Sequence, residues 1–397
     1  MLPKLLSANA LYQRLQQRGD LLLLDVRNNE EFRRSRIETR HTPETLNIPY
    51  VEFIEDDTLE VALDRIPRER PIVAVCAYGG SSEYVAGILR RYGYEVANLA
   101  GGMEGWAGLH VVRPVVDDEW VEIFQIDRVA RGCLSYVIVS DGWAVVVDPS
   151  RYTDEYLALL KSCGASLRLI VDTHAHADHI SGGPALAQAT GAPYYLHPYD
   201  AINPFDVTPA SVDYKALYDG HRFRLGSVVL RALHAPGHTL GHVVLLATTV
   251  AGQSYLFSGD TIFLSGIGRP DLGGQAELWA CLAHETIFGT LKSATPGNAP
   301  VLPGHYAGPG EVDKHGLYTS TFETVWATNK DLAFAEQEEF VSHVLTSLPW
   351  TPPEYVEIKR INGGLAEVNS RRALELEMGR NVCALSTAYT SFVPVPG

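Results

Sequence analysis

The sequence predicts an α/β protein in two blocks: a parallel α/β domain first, then a strand-rich domain with ligand-type residues at its strand ends. Three observations lead there. Apolar strands alternate with a helical repeat in the N-terminal part. Close-spaced apolar runs with glycine turns follow from Trp120 onward. The later runs end in "HAHADH" (174–179), "GHT" (237–239), "SGD" (258–260) and "PGH" (303–305).

In the first block, "LLLLDVR" (21–27), "PIVAVC" (71–76) and "EVANLAGG" (95–102) read as buried strands. Between the last two, Val85, Ile88, Leu89 and Tyr92 fall at helical spacing. Residues 1–113 are therefore expected as one domain and 114–119, with Pro114 and three acids, as a linker. In the second block "WVEIFQI", "YVIVS" and "WAVVVDP" (143–149) read as antiparallel neighbours. A helix over 154–162 and the strand "LRLIVDTH" follow. "SVVLRALHA" (227–235), "VVLLAT" (243–248) and "YLFSGD" (255–260) supply further strands. This second block is placed at 120–352. Residues 353–397, ending in "FVPVPG", are expected as an extension packed on it.

The chain has 397 residues, enough for two or three domains. Its formal net charge is −15. That field disfavours nucleic acid and anionic membrane surfaces, and an anionic substrate would need a local positive pocket. The five cysteines, Cys76, Cys133, Cys163, Cys281 and Cys383, are odd in number, widely spaced and form no CxxC. A disulfide framework is not expected, and a reducing, cytoplasmic setting is. Met1 to Asn9 has no signal-peptide pattern, and no apolar run approaches the ~20 residues of a membrane span. Assembly into a homo-oligomer is left open.

Cys76 ends a strand, and "AYGGSS" turns the chain into a helix. Backbone N–H groups of such a loop and the helix start form an anion cradle, which favours a thiolate. The plain alternative is a buried structural cysteine. "LLLLDVRNNEEF", "LNIPY", the cysteine loop and "ANLAGGMEGW" together resemble a rhodanese domain over residues 5 to 110. The resemblance implies a sulfurtransferase-type fold with Cys76 as persulfide carrier. Active members usually place arginines in this loop, and C-A-Y-G-G-S-S has none. An inactive or substrate-presenting module is the alternative.

The strand-end residues offer a metal site. His174, His176, Asp178, His179, His238, Asp260 and His305 are candidates, and imidazole with carboxylate suits zinc, iron or manganese. His234 and His242 are expected in supporting or packing roles; the remaining histidines are expected in packing or at the surface. HxHxDH, then GHT, then the strand-end Asp, then PGH resemble the metallo-β-lactamase superfamily over about 120 to 345. That resemblance implies an αββα sandwich with the site at the sheet edges.

Two chemistries fit the resemblance. In a glyoxalase II-like dinuclear zinc hydrolase, His174, His176 and His238 hold one ion, and Asp178, His179 and His305 the other. Asp260 bridges them, and metal-activated water cleaves a thioester. In a persulfide dioxygenase, His174, His238 and Asp260 hold one Fe(II) per chain and leave positions open for O2 and substrate. "DTIFLSGIGRPDLGG" (260–274) and "SLPWTPPEYVEIKRING" resemble the persulfide dioxygenase subgroup, and the rhodanese-like block is chemically consistent with it. The expected reaction is oxidation of a low-molecular-weight thiol persulfide, such as glutathione persulfide, to sulfite. Arg269 is a candidate for the substrate carboxylate; its alternative is a salt bridge with Asp271. Tyr306 and Asp178 are candidates for groups near the open positions. A non-enzymatic sulfur-binding scaffold would require this ligand set to be vestigial.

Overall fold

The computed structural model of the chain describes residues 2–18 and 20–385. The N-terminal domain is a five-stranded parallel sheet. Its strands are β1 (Leu5–Leu6), β2 (Leu22–Asp25), β3 (Thr45–Asn47), β4 (Ile72–Val75) and β5 (Val96–Leu99), in the order β1-β5-β4-β2-β3. Every residue of β2, β4 and β5 is buried, as expected for a parallel sheet covered on both faces. The helix Gly80–Arg91 follows β4 and packs Val85, Ile88 and Leu89 inward.

The second domain is two facing sheets. One contains β6 (His110–Asp117), β7 (Glu122–Arg128), β8 (Cys133–Ser140), β9 (Trp143–Val147), β10 (Ser166–Val171), β11 (Tyr194–Leu196) and β12 (Lys215–Ala216). They run in the order β12-β11-β10-β9-β8-β7-β6. The other contains β13 (Arg222–Leu225), β14 (Val228–His234), β15 (Val243–Thr249), β16 (Ser254–Gly259), β17 (Pro300–Pro303) and β18 (Ser320–Thr321), hydrogen-bonded in sequence order. The core between them joins Ile123, Tyr136, Val145 and Val171 to Leu230, Leu245, Phe257 and Leu302. Helices Thr153–Ser162 and Gly183–Thr190 cover the outside of the first sheet. Helices Ala276–His284, Phe322–Thr328 and Gln337–Thr346 cover the second. This is the expected αββα arrangement.

One boundary is corrected. Residues 114–119 are not a linker: Pro114 to Asp117 complete β6, an edge strand of the seven-stranded sheet. Pro114 is tolerated because the strand is at the edge and its register shifts between Pro114 and Val116. The two domains are packed directly: Arg128 Nε donates to the Ala107 carbonyl at 3.1 Å. Val129 also joins the core of Trp106 and Met103.

The C-terminal segment forms helices Glu354–Asn362 and Ser370–Leu376, which pack on Ile180 of the second domain and also accept hydrogen bonds from Arg34 of the first. Asn362 donates to the carbonyls of His176 and His179, both at 2.9 Å, so the extension braces the histidine-rich loop. "FVPVPG" lies outside the described residues. All five cysteines are free. Among the described residues, no helix is long and apolar enough to cross a membrane.

Candidate metal centre

The site forms where strand ends converge. β10 leads into the loop carrying His174 to His179, β14 leads towards His238, β16 delivers Asp260 and β17 delivers His305. Glycine permits the close approach. A Cβ on Gly268 would lie 1.9 Å from the Asp260 carbonyl oxygen and 2.9 Å from His238 Nδ1. Both neighbours are fixed by strand ends, so Gly268→Ala is expected to displace two candidate ligands. The expected outcome is a loss of at least about 1–3 kcal/mol in thermal melting, with reduced bound metal by elemental analysis.

The structure sorts the candidate ligands into overlapping groups, with Asp260 and His305 also grouped with Cys383. The ligand atoms of His174, His238 and Asp260 all lie within 4.8 Å of one another. His238 Nε2 is 3.4 Å and His174 Nε2 3.8 Å from Asp260 Oδ2. These three inward atoms are buried and have no hydrogen-bond partner. Their outward atoms are all engaged. His174 Nδ1 meets Thr173 Oγ1 at 3.0 Å, and His238 Nδ1 donates to the Arg269 carbonyl at 2.8 Å. His305 Nδ1 donates to Asp260 Oδ1 at 2.6 Å. Leaving a buried polar atom unpaired costs about 1–3 kcal/mol. Three such atoms aimed at one point fit a bound transition-metal cation, with the outer contacts orienting the ligands.

The His176 ring lies between those of His174 and His179, with centroids 4.2 Å from each. Its Nε2 lies 3.2 Å from Asp148 Oδ1, and it groups with Asp148 and Asp172, although its Nδ1 is also unpartnered. Cys133, Asp178, His179 and His305 form another group, whose atoms bond one another. His305 Nε2 is 2.9 Å from Asp178 Oδ2, His179 Nδ1 3.1 Å from Asp178 Oδ1, and Cys133 Sγ 3.1 Å from Asp178 Oδ2. The buried Arg131 Nε stands 4.0 Å from Asp178 Oδ2.

Electrostatics follow this division. Burial lowers His174 well below the usual histidine range, and the His176, His238 and His242 rings push the same way. Burial also lowers His238, with Asp260 opposing only in part. Both are thus favoured as neutral imidazoles, the form that binds metal. Burial alone would raise Asp260, but His305 and His238 outweigh it and hold the carboxyl low. His305 behaves oppositely: burial would lower it, yet Asp260 and Asp178 raise it well above its usual value. For His176 burial is likewise outweighed, chiefly by Asp148, and its pKa rises to about 9.

The other sequence candidates fall as follows. Arg269 is fully buried and occupies the alternative anticipated for it: a two-pronged bridge to Asp271 at 2.6 and 2.7 Å. It also donates to the carbonyls of Pro349, Trp350 and Val382, so its guanidinium ties the C-terminal segment to the site instead of facing a cavity. Tyr306 is stacked on Tyr318 with centroids 3.7 Å apart, and its hydroxyl donates to Asp127. Its hydroxyl is therefore spent on Asp127. His242 supports the site, accepting from the Asp260 N–H at 2.9 Å. His234 does not; it stacks on His197. In the N-terminal domain, Cys76 Sγ accepts from the Gly79 N–H and contacts Ser82 Oγ, each at 3.1 Å.

Sequence reasoning missed several residues. Asp148 takes a left-handed backbone (φ 52°) and accepts from Thr173 N at 2.6 Å and Oγ1 at 2.9 Å. Its position at the end of "VVVD" was a usable signal, the same as for Asp260. Asp200 accepts from Ala175 N, Thr239 Oγ1 and Gly241 N at 2.7–2.8 Å, stitching the two histidine loops together. Arg131, Cys133, Lys359 and Cys383 carried no local signal. Beside these loops is a cavity of about 220 Å³ whose walls include Ala175, Tyr199, Asp200, Thr239, Trp279 and Lys359. The segment 198–220 thus forms part of its wall.

Residues 7–109 match the rhodanese-like domain, and residues 128–325 match the metallo-beta-lactamase superfamily. Mouse mitochondrial persulfide dioxygenase ETHE1 is 34% identical over 217 residues, covering 54% of this chain and 76% of that protein. A hydroxyacylglutathione hydrolase from Methylococcus capsulatus is 37% identical over 241 residues, covering 57% and 85%. A crystal structure of a metallo-beta-lactamase from Staphylococcus aureus subsp. aureus COL is similar with a TM-score of 0.56 and 26% identity. It spans 63% of this chain and 74% of its own. Fold, converging ligands and relatives agree: the chain belongs to the metallo-beta-lactamase superfamily and carries a rhodanese-like domain ahead of that fold.

Proposed function

We propose that the protein is a persulfide dioxygenase with one Fe(II) per chain, oxidising the sulfane sulfur of a thiol persulfide. One observation carries this reading. His174, His238 and Asp260 present converging, unpartnered atoms, whereas the second-site residues Asp178, His179 and His305 spend theirs on each other. Two imidazoles and one carboxylate suit non-haem iron with open positions. A ferrous ion held there supplies the redox chemistry that lets O2 react with sulfur. His174 and His238 hold their ring orientation through Thr173 and the Arg269 carbonyl, and His305 orients Asp260. The cavity beside Ala175 and Thr239, which neighbour His174 and His238 in the chain, receives the substrate. The balanced reaction is RSSH + O2 + H2O giving RSH, sulfite and two protons. A thiol persulfide substrate is in keeping with the name of the mouse relative, and we assign glutathione persulfide as that substrate.

We assign the N-terminal domain a sulfurtransferase role. The Cys76 thiolate attacks the sulfane sulfur of a donor; the donor's S–S bond breaks, a Cys76 persulfide forms and the remainder leaves as a thiolate or shorter polysulfide, or as sulfite when the donor is thiosulfate. Gly79 N–H and Ser82, placed on the sulfur, support this role without a loop arginine. Sulfane sulfur is expected on Cys76 by mass spectrometry after thiosulfate or polysulfide treatment and absent from Cys76→Ser; an unlabelled wild type removes the carrier role.

The competing reading is a dinuclear zinc hydrolase of thioesters. It is favoured by the grouping of Cys133, Asp178, His179 and His305 within 4.8 Å and by the hydroxyacylglutathione hydrolase relatives. Protein purified without chelator decides between them. About one iron per chain, with oxygen uptake on glutathione persulfide, is expected. Two zinc ions with cleavage of S-lactoylglutathione would overturn the dioxygenase reading.

A further inference from the structure

The acidic chain raises the question of how it receives an anion, and Lys359 supplies an answer. It sits on the helix Glu354–Asn362, outside the strand-end motifs. Only 6% of it is exposed, and it lines the cavity beside the candidate metal centre. Its Nζ donates to the Ala175 carbonyl at 3.2 Å, one residue from both His174 and His176. Among the described residues no carboxylate pairs with it. Asp200, the acid of that wall, already accepts from Ala175 N, Thr239 Oγ1 and Gly241 N. The ammonium's field reaches His174 and His238.

A buried ammonium with one neutral partner is costly, and the cost rises beside a site built for a divalent cation. An anion placed between the two charges relieves both. Under the dioxygenase reading, the substrate group brought to the ligand triad is the reacting sulfur. We propose that Lys359 binds the charged terminal sulfur of the persulfide, RSS⁻, and thereby selects anionic sulfur over neutral thioether or thioester sulfur. This rests on the dioxygenase reading for the identity of the substrate, but not for the recognition of an anion.

The test compares two probes on the metal-loaded protein by calorimetry. Glutathione sulfonate carries an anionic sulfur group; S-methylglutathione has the same carboxylates and a neutral sulfur. The wild type is expected to bind the sulfonate about tenfold more tightly, the scale of a charge-assisted contact. Lys359→Gln should remove that preference while leaving S-methylglutathione binding within about twofold, and Lys359→Arg should restore it. Absence of the preference in the wild type overturns the proposal whether or not the variants fold. Equal weakening of both probes in Lys359→Gln also overturns it, because the lysine would then be reading a carboxylate. Failure of the dioxygenase reading is seen separately, as zinc content and thioester cleavage in wild-type protein.

Discussion

Replacing His238 with alanine is expected to remove iron and oxygen uptake together. His238 contributes one of three inward atoms, and His174 and Asp260 alone leave two. Partners outside the ligand sphere are typically worth 10- to 100-fold in metal affinity, so losing a ligand should cost more than about 100-fold. Elemental analysis should find iron near background, and an oxygen electrode should record no persulfide-dependent uptake. His305→Ala provides the contrast. Its loss removes the 2.6 Å bond that orients Asp260, so affinity should fall by roughly 10- to 100-fold. The stoichiometry should nevertheless stay near one iron per chain under saturating metal. Oxygen consumption that survives in His238→Ala would sink the ligand assignment.

The second large effect concerns Glu377, which lies just beyond the helix Ser370–Leu376. Its buried carboxylate accepts from Arg128 at 2.9 Å, Arg151 at 2.7 Å and the Ile180 N–H at 2.8 Å. It therefore clamps the extension to the loop that carries the histidines. Glu377→Gln leaves Arg128, whose side chain is 2% exposed, without its counter-charge. Breaking one side of a buried pair costs about 3–5 kcal/mol, or roughly 6–20 °C in melting temperature for a domain of this size. A variant that melts within about 2 °C of wild type would show that the clamp is not stabilising.

The same group predicts a pH dependence. Burial alone would raise the Glu377 pKa, but Arg128 and Arg151 outweigh it and hold it at about 2, below the ordinary 4.5. The folded-state value lies below the unfolded one. The stabilisation is therefore full above about pH 4.5 and is lost as pH falls towards about 2. Melting curves across this range should fall more steeply for wild type than for Glu377→Gln.

Much of this architecture was legible because its signals are local. The buried runs of β2, β4 and β5, the alternation with helix Gly80–Arg91, and the antiparallel run β7 to β9 each follow from a few adjacent residues. The short edge pieces β1 and β3 were not, because two or three residues carry no usable period. β6 was hidden by Pro114, which reads as a break unless the strand is known to lie at an edge.

The candidate ligands were legible for a similar reason: a strand that runs out at a sheet edge presents the next few side chains at that edge. The sequence by itself determined the class of fold and the donor chemistry, since strand periodicity and strand-end imidazoles and carboxylates are written within short windows. Only the tertiary structure decided which donors stay unpaired, that Arg269 bridges Asp271 instead of facing a cavity, and that Lys359 and Glu377 reach the histidine loop. Those contacts join residues far apart in the chain. Their pairing depends on which buried charge has already been neutralised by another element, and no local window contains that information.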